Sequence, residues 1–189
     1  MPLNGFIVNN DKIGAVEYVS QFSDLMRMIL ENSRKNKIPL EQEINLLELY
    51  IEIEVLRFAN PFNYEIIIDE QIDTFDIQIP AMLLQPFVEN AIKHGLFHKK
   101  EKGNLLITFK KEANFLICSI QDDGVGRAES HRMNAQKGRK HKSRGLEIIK
   151  EQLEIFQQSG FGKVDYKIID LYSPDQRSIG TKAEITLPI

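Results

Sequence analysis

Apolar positions recur every three or four residues in the first third of the chain and every second residue in much of the remainder, so the pattern itself divides the sequence. Val16, Val19, Phe22, Met26, Ile29 and Leu30 fall at helical spacing behind Asn9, Asn10 and Asp11, residue types that cap helix N-termini. The spacing predicts a helix of about five turns. A polar and basic break covers 33–37. Pro39 then suits the first turn of a second helix, and Glu41 and Glu43 lie where the positive end of a helix dipole favours anions. Ile44, Leu47, Ile51, Val55 and Phe58 make one stripe of this helix, and Leu46, Leu49, Ile53 and Leu56 make a second. A helix apolar on two sides needs two neighbours, so residues 11–60 are expected to form an antiparallel helical hairpin that packs on a further surface.

Beyond Pro61 the period changes to two: Tyr64, Ile66 and Ile68 alternate with Glu65, Ile67 and Asp69, predicting a strand. Pro80 opens a stretch, 81–94, in which Leu83, Leu84, Phe87, Val88, Ala91 and Ile92 are spaced for one helix. Strands are expected at 104–110 and 115–121 around a short turn, the second running into Asp122-Asp123-Gly124-Val125-Gly126. Polar and basic sequence continues to Arg144, followed by an expected helix over 145–158 and strands over 164–171 and 181–187. Short turns between successive strands favour an antiparallel or mixed sheet with helices on one face over a doubly wound parallel sheet.

Composition narrows the function classes. The chain has 189 residues, and 24 Lys and Arg against 27 Asp and Glu give a net charge of -3, which excludes a global polycation built for nucleic acid. Seven Lys or Arg crowd between Arg127 and Arg144 against the single acid Glu129, but aromatic residues that would stack on bases are not interleaved with them. One cysteine, Cys118, can form neither an internal disulfide nor a cysteine-based zinc framework, and points to a reducing compartment. No apolar run approaches a membrane span, so this segment is not expected to insert in a bilayer. His94 and His98 lie four apart, but Gly95 interrupts and no further ligand is evident, so zinc is set aside.

Four short elements could carry chemistry. Asn90, Lys93 and His94 share one helix face, placing an amide oxygen able to bind a hard cation beside groups able to meet phosphate. Asp122-x-Gly-x-Gly at a strand end offers a carboxylate for a base amino group, with Gly124 and Gly126 allowing close backbone approach. Lys142-Ser143-Arg144-Gly145-Leu146 opens a helix, where free amide hydrogens favour an anion, and Gly180-Thr181 precedes the last strand. Singly, each is more often an ordinary solvated helix face or a turn.

In this order the elements resemble the ATP-binding module of histidine kinases and the wider GHKL ATPases. The run Leu84-Gln85-Pro86-Phe87-Val88-Glu89-Asn90-Ala91-Ile92-Lys93-His94-Gly95, with Tyr50-x-x-x-Glu54-x-x-Arg57-Phe58 before it, is similar to LytS-type sensor histidine kinases over essentially the whole chain. The resemblance implies an α+β protein. Residues 1–60 would be a dimerisation-like helical hairpin, and 61–189 a two-layer α/β sandwich of the Bergerat type with a mixed, mostly antiparallel sheet. It also implies roles. Asn90 would hold Mg2+ bridging the phosphates of ATP, with Lys93 and His94 nearby. Asp122 would read the adenine amino group, assisted by Thr181. Gly124 and Gly126 would open a flexible lid that Ser143, Gly145 and Leu146 close.

The implied partners are a second copy of the chain and the receiver domain of a response regulator, within a cytoplasmic segment of a membrane-bound sensor. Three departures from the family pattern stand out. Pro86 occupies the position, four before the asparagine, where many GHKL ATPases carry a basic carboxylate, leaving Glu89 as the remaining candidate base. The lid-closing motif, usually Gly-x-Gly-Leu-x-Asn, has Ser143 and Ile148 where glycine and asparagine are usual. No histidine of the chain sits in the family's phosphoacceptor context, so the acceptor is expected upstream of Met1. A non-catalytic dimerisation and signalling module with a degenerate pocket is the competing expectation.

Overall fold

The computed structural model describes residues 12–57, 61–136 and 163–189. Helix α1 (Lys12–Asn32) turns back through residues 33–36 into the short strand β1 (Lys37–Pro39) and helix α2 (Leu40–Arg57). Strand β2 (Asn63–Ile68), strand β3 (Gln78–Pro80) and helix α3 (Gln85–Asn90) follow, and α3 runs into a π-helical turn (Ala91–Gly95) and a 3-10 turn (Leu96–His98). Strands β4 (Asn104–Glu112) and β5 (Phe115–Asp122), helix α4 (Arg127–Gln136), and strands β6 (Asp165–Tyr172) and β7 (Ser178–Pro188) complete the described chain.

The main sheet has the order β2-β4-β5-β7-β6, parallel only between β2 and β4. It is therefore mixed and mostly antiparallel, as the short turns predict. Its inner face follows the period of two: Leu105, Ile107 and Phe109 on β4, Leu116, Cys118 and Ile120 on β5, and Ile185 and Leu187 on β7 are all buried. Cys118 is core, and burial drives its thiol pKa upward, so it stays protonated.

One core runs across residue 60, the boundary expected between the two parts. Leu46, Leu47, Ile51 and Ile53 of α2 share it with Val88 and Ile92 and with the inner face of the sheet. The physical reason lies before α2. Strand β1 pairs antiparallel with β3, burying Ile38 against Ile79, and Leu40 N–H donates to the Ile77 carbonyl at 2.8 Å. Both apolar stripes of α2 enter this core, one through Ile44, Leu47 and Ile51 and the other through Leu46 and Ile53, while Leu56 is exposed.

Helix α1 turns the other way. Tyr18 and Leu25 pack inward, whereas Val16, Val19, Phe22, Met26 and Leu30, most of the predicted stripe, face solvent. Among the described residues, no helix is long and apolar enough to cross a membrane.

Two local readings differ from the structure. The helix expected over 81–94 begins only at Gln85, because Ala81–Leu84 form a turn in which Met82 adopts φ +60°. The polar stretch after Gly126 begins as a helix, α4, whose weak amphipathicity hid it from a periodicity argument. The helix expected over 145–158 lies outside the described residues.

Candidate functional site

Asp122 is the last residue of β5, and cross-strand register sets it opposite Thr181 of β7. Its side chain is only 1% exposed. Oδ1 accepts the Gly124 N–H at 2.9 Å, and Oδ2 accepts the Thr181 hydroxyl in a very short hydrogen bond. Burial raises the carboxyl pKa to about 6, against the lowering effect of those hydrogen bonds. The result is a fixed, desolvated acceptor held by the Gly124 N–H and by both the hydroxyl and the backbone of Thr181.

Asn90 ends the α-helical part of α3. It is half-buried, and its side-chain amide has no hydrogen-bond partner among the described residues. The π turn that follows is an i to i+5 arrangement, seen in the Leu96 N–H donating to the Ala91 carbonyl. This wider turn brings Gly95 onto Asp122. A Cβ on Gly95 would overlap Asp122 Oδ1 and lie 2.7 Å from its Cγ, so only a glycine admits the carboxylate there. Gly124 closes on the same point, its missing Cβ replaced by the Gly95 backbone, and Val125 N–H donates to the Gly95 carbonyl at 3.3 Å. The amide-bearing helix and the glycine-flanked acid thus meet at one place.

Neighbouring residues hold this junction. Asp123 accepts the Asn104 backbone and side-chain amides at 2.8 and 2.6 Å and pairs with Lys99 at 2.9 Å, which depresses its pKa. Gly126, at φ +77°, leads into α4, whose first residue Arg127 makes a two-pronged pair with Asp170 at 2.7 and 2.6 Å. Asp170 faces Thr181 in the β6–β7 register, so Asp122, Thr181 and Asp170 lie in one row across three strands. The pairings of Asp123 with Asn104 and of Arg127 with Asp170 did not stand out in the sequence, because no spacing rule connects residues 19 or 43 positions apart.

The remaining candidates fall into two groups. Lys93 Nζ is 2.6 Å from Glu89 Oε2, an i,i+4 pair with half of the lysine side chain exposed, and Glu89 also accepts from Gln85 Nε2 at 3.3 Å. Glu89 is therefore a charge partner of Lys93. His94 is exposed in the π turn. Ser143, Gly145 and Leu146 lie outside the described residues. Among the described residues, no three His, Cys, Asp or Glu side chains cluster as a metal cage. A hard cation at Asn90 would thus take most of its oxygen ligands from a bound phosphate and water, the usual habit of Mg2+.

Residues 3–62 match the family model described as Histidine kinase. The Sensor protein LytS of Staphylococcus epidermidis is 32% identical over 120 residues, covering 64% of this chain and 20% of that protein, so the chain spans about a fifth of the curated relative's length. The histidine kinase domain of the Erythrobacter litoralis EL346 blue-light activated histidine kinase superposes with a TM-score of 0.56 at 16% identity, over 96% of this chain and 81% of that one. Histidine kinase ThkA, solved in complex with the response regulator protein TrrA, superposes with a TM-score of 0.51 at 17% identity, over 98% and 56% respectively. At such identities the structures establish the fold alone: helices followed by a mixed, mostly antiparallel sheet.

Proposed function

Because this chain is a relative of the LytS-type sensor histidine kinases, we propose that it is the nucleotide-binding core of such a kinase. In this reading it binds Mg-ATP, and the intact protein transfers the γ-phosphoryl group to a histidine upstream of residue 1, for relay to an aspartate of a response regulator receiver domain. The observation that carries the reading is the docking of the Asn90 helix onto buried Asp122 through Gly95. Asp122 and Thr181 would take the adenine end. The Asn90 amide, which has no hydrogen-bond partner among the described residues, would ligate magnesium, and Lys93, half exposed, would swing from Glu89 to a phosphate. Bound Mg2+ would neutralise phosphate charge as it is transferred, and the protein's own share is positioning and electrostatics. Ser143, Gly145 and Leu146 would close over the nucleotide, and His94 would lie beside its phosphates.

Glu89 suits charge balance better than proton abstraction, since its carboxylate is already engaged by Lys93 Nζ at 2.6 Å and by Gln85 Nε2 at 3.3 Å. The exposed apolar stripe of α1 supports pairing with a second copy. We place this core in the cytoplasm, as part of a membrane-bound sensor.

Titrating Mg-ATP into wild type, Asn90→Asp and Asp122→Ala tests the site. Weakening in both variants is expected, and unchanged affinity in both would reject the assignment. The second reading, a signalling module without catalysis, is favoured by Pro86 at the usual base position. A longer protein containing the upstream histidine separates the two, because labelled phosphate would enter a kinase and not a folded pseudo-kinase.

A further inference from the structure

Glu43 is the least expected charge in the molecule. The sequence places it in the first turn of α2, where an exposed acid would serve that helix's own dipole. The structure buries it completely and turns it toward a different helix. Its Oε2 accepts Met82 N–H at 2.9 Å and its Oε1 accepts Leu84 N–H at 2.9 Å, with the Gln85 backbone a third donor to the same carboxylate. These amides belong to the turn that launches α3. That helix has no cap of its own: its N-cap is Leu84, which offers no side-chain hydrogen bond, and proline follows in the first turn. The free N–H groups at a helix start need acceptors when buried, and here one carboxylate from α2 supplies them. Further along the same face of α2, Tyr50 and Glu54 come within electrostatic range of one another, and Tyr50 within range of Glu89.

We infer that Glu43 is a positioning residue for the nucleotide site: reaching from α2, it fixes the start of α3 and thereby sets Asn90, six residues beyond Leu84, against the phosphate end of the ligand. The inference rests on the nucleotide reading above. Its discriminating feature is that, among the described residues, the hydrogen bonds of Glu43 go to the start of the Asn90 element, whereas those of Asp122 come from Gly124 and Thr181. Glutamine at 43 has the same shape but one acceptor oxygen. Its amide group would confront at least one of these N–H groups with another donor, and the turn must shift.

The test uses the full chain. Affinities for adenosine, and for ATP with magnesium and with chelator, are measured in wild type and Glu43→Gln, with thermal unfolding as a control. The expected result is unchanged adenosine binding and a fivefold or greater fall in the factor by which magnesium tightens ATP. An unchanged magnesium factor overturns the inference. So does an equal loss for adenosine and Mg-ATP, which would mark a general structural defect. Wild type that binds neither ligand refutes the nucleotide reading, and this inference with it.

A measurement on wild type guards against a variant that does not fold. Because coupling is reciprocal, Mg-ATP should slow hydrogen exchange at the Met82 and Leu84 amides at least threefold more than adenosine does. Equal protection by both ligands would overturn the proposal.

Discussion

Gly95→Ala gives a sharp test of the junction between the two halves of the site. The backbone there has φ -89°, which alanine accepts, so the substitution carries no dihedral penalty. Removing a glycine from the unfolded chain would by itself stabilise by about 0.4–1 kcal/mol. Against this stands the new methyl group, which would overlap Asp122 Oδ1 and sit 2.7 Å from Cγ of a side chain locked by Gly124 and Thr181. Overpacking of this kind costs about 1–3 kcal/mol, leaving a net loss of about 1–2 kcal/mol and a fall in Tm of roughly 2–8 °C for a domain of this size.

If Asp122 is pushed from its place, a hydrogen bond to a charged acceptor, about 1.5–3 kcal/mol, is lost from base binding. Adenosine affinity should then drop roughly ten- to hundredfold, since each 1.4 kcal/mol is about tenfold. Gly103→Ala is the matched control: its Cβ would meet the flexible end of Leu96 at 2.6 Å, with Asp123 Oδ1 at 3.3 Å and Lys99 Cδ at 3.6 Å, and none of these nearest atoms belongs to Asp122. Calorimetric unfolding and adenosine titration of both variants decide the matter. Wild-type Tm and affinity in Gly95→Ala would refute the claim that Asp122 is gripped between the helix and the strand end.

Other consequences follow from the same geometry. The Asp122 carboxyl is more readily protonated folded, with a pKa of about 6, than its ordinary 3.8. The folded state thus binds more protons between these values, and stability falls as pH rises through this window, by about 3 kcal/mol in all. Asp122→Asn should remove that loss, and parallel unfolding curves for the two proteins from pH 4 to 8 would contradict it. Arg127→Ala breaks a pair whose arginine side chain is 41% exposed, so the cost should be only about 0.5–1 kcal/mol and should shrink in high salt; a salt-independent loss would mean that the arginine acts through packing. Phe22→Glu charges the solvent-facing stripe of α1 and should shift self-association toward monomer without altering Tm by more than about 2 °C, as surface substitutions rarely exceed 0.5 kcal/mol; sedimentation equilibrium showing identical masses for variant and wild type would exclude α1 as the contact.

Much of the architecture was legible in the chain, because each level of it leaves a local mark. The period of two in Leu105, Ile107 and Phe109 is the pleat itself, and the doubled stripe of α2 already required two neighbours. Asn90 and Asp122 read singly as a solvated helix face and a turn, and the order of the elements together with the family resemblance singled them out. Tertiary structure alone decided what reaches across. The pairing of β1 with β3, the Arg127–Asp170 bridge and the transfer of Glu43 from its own helix to the start of α3 join positions some 40 residues apart. Such contacts arise because buried amides and carboxylates must find partners wherever the packed chain supplies them. Sequence spacing records the faces of the elements, and only their packing determines which buried polar group answers which.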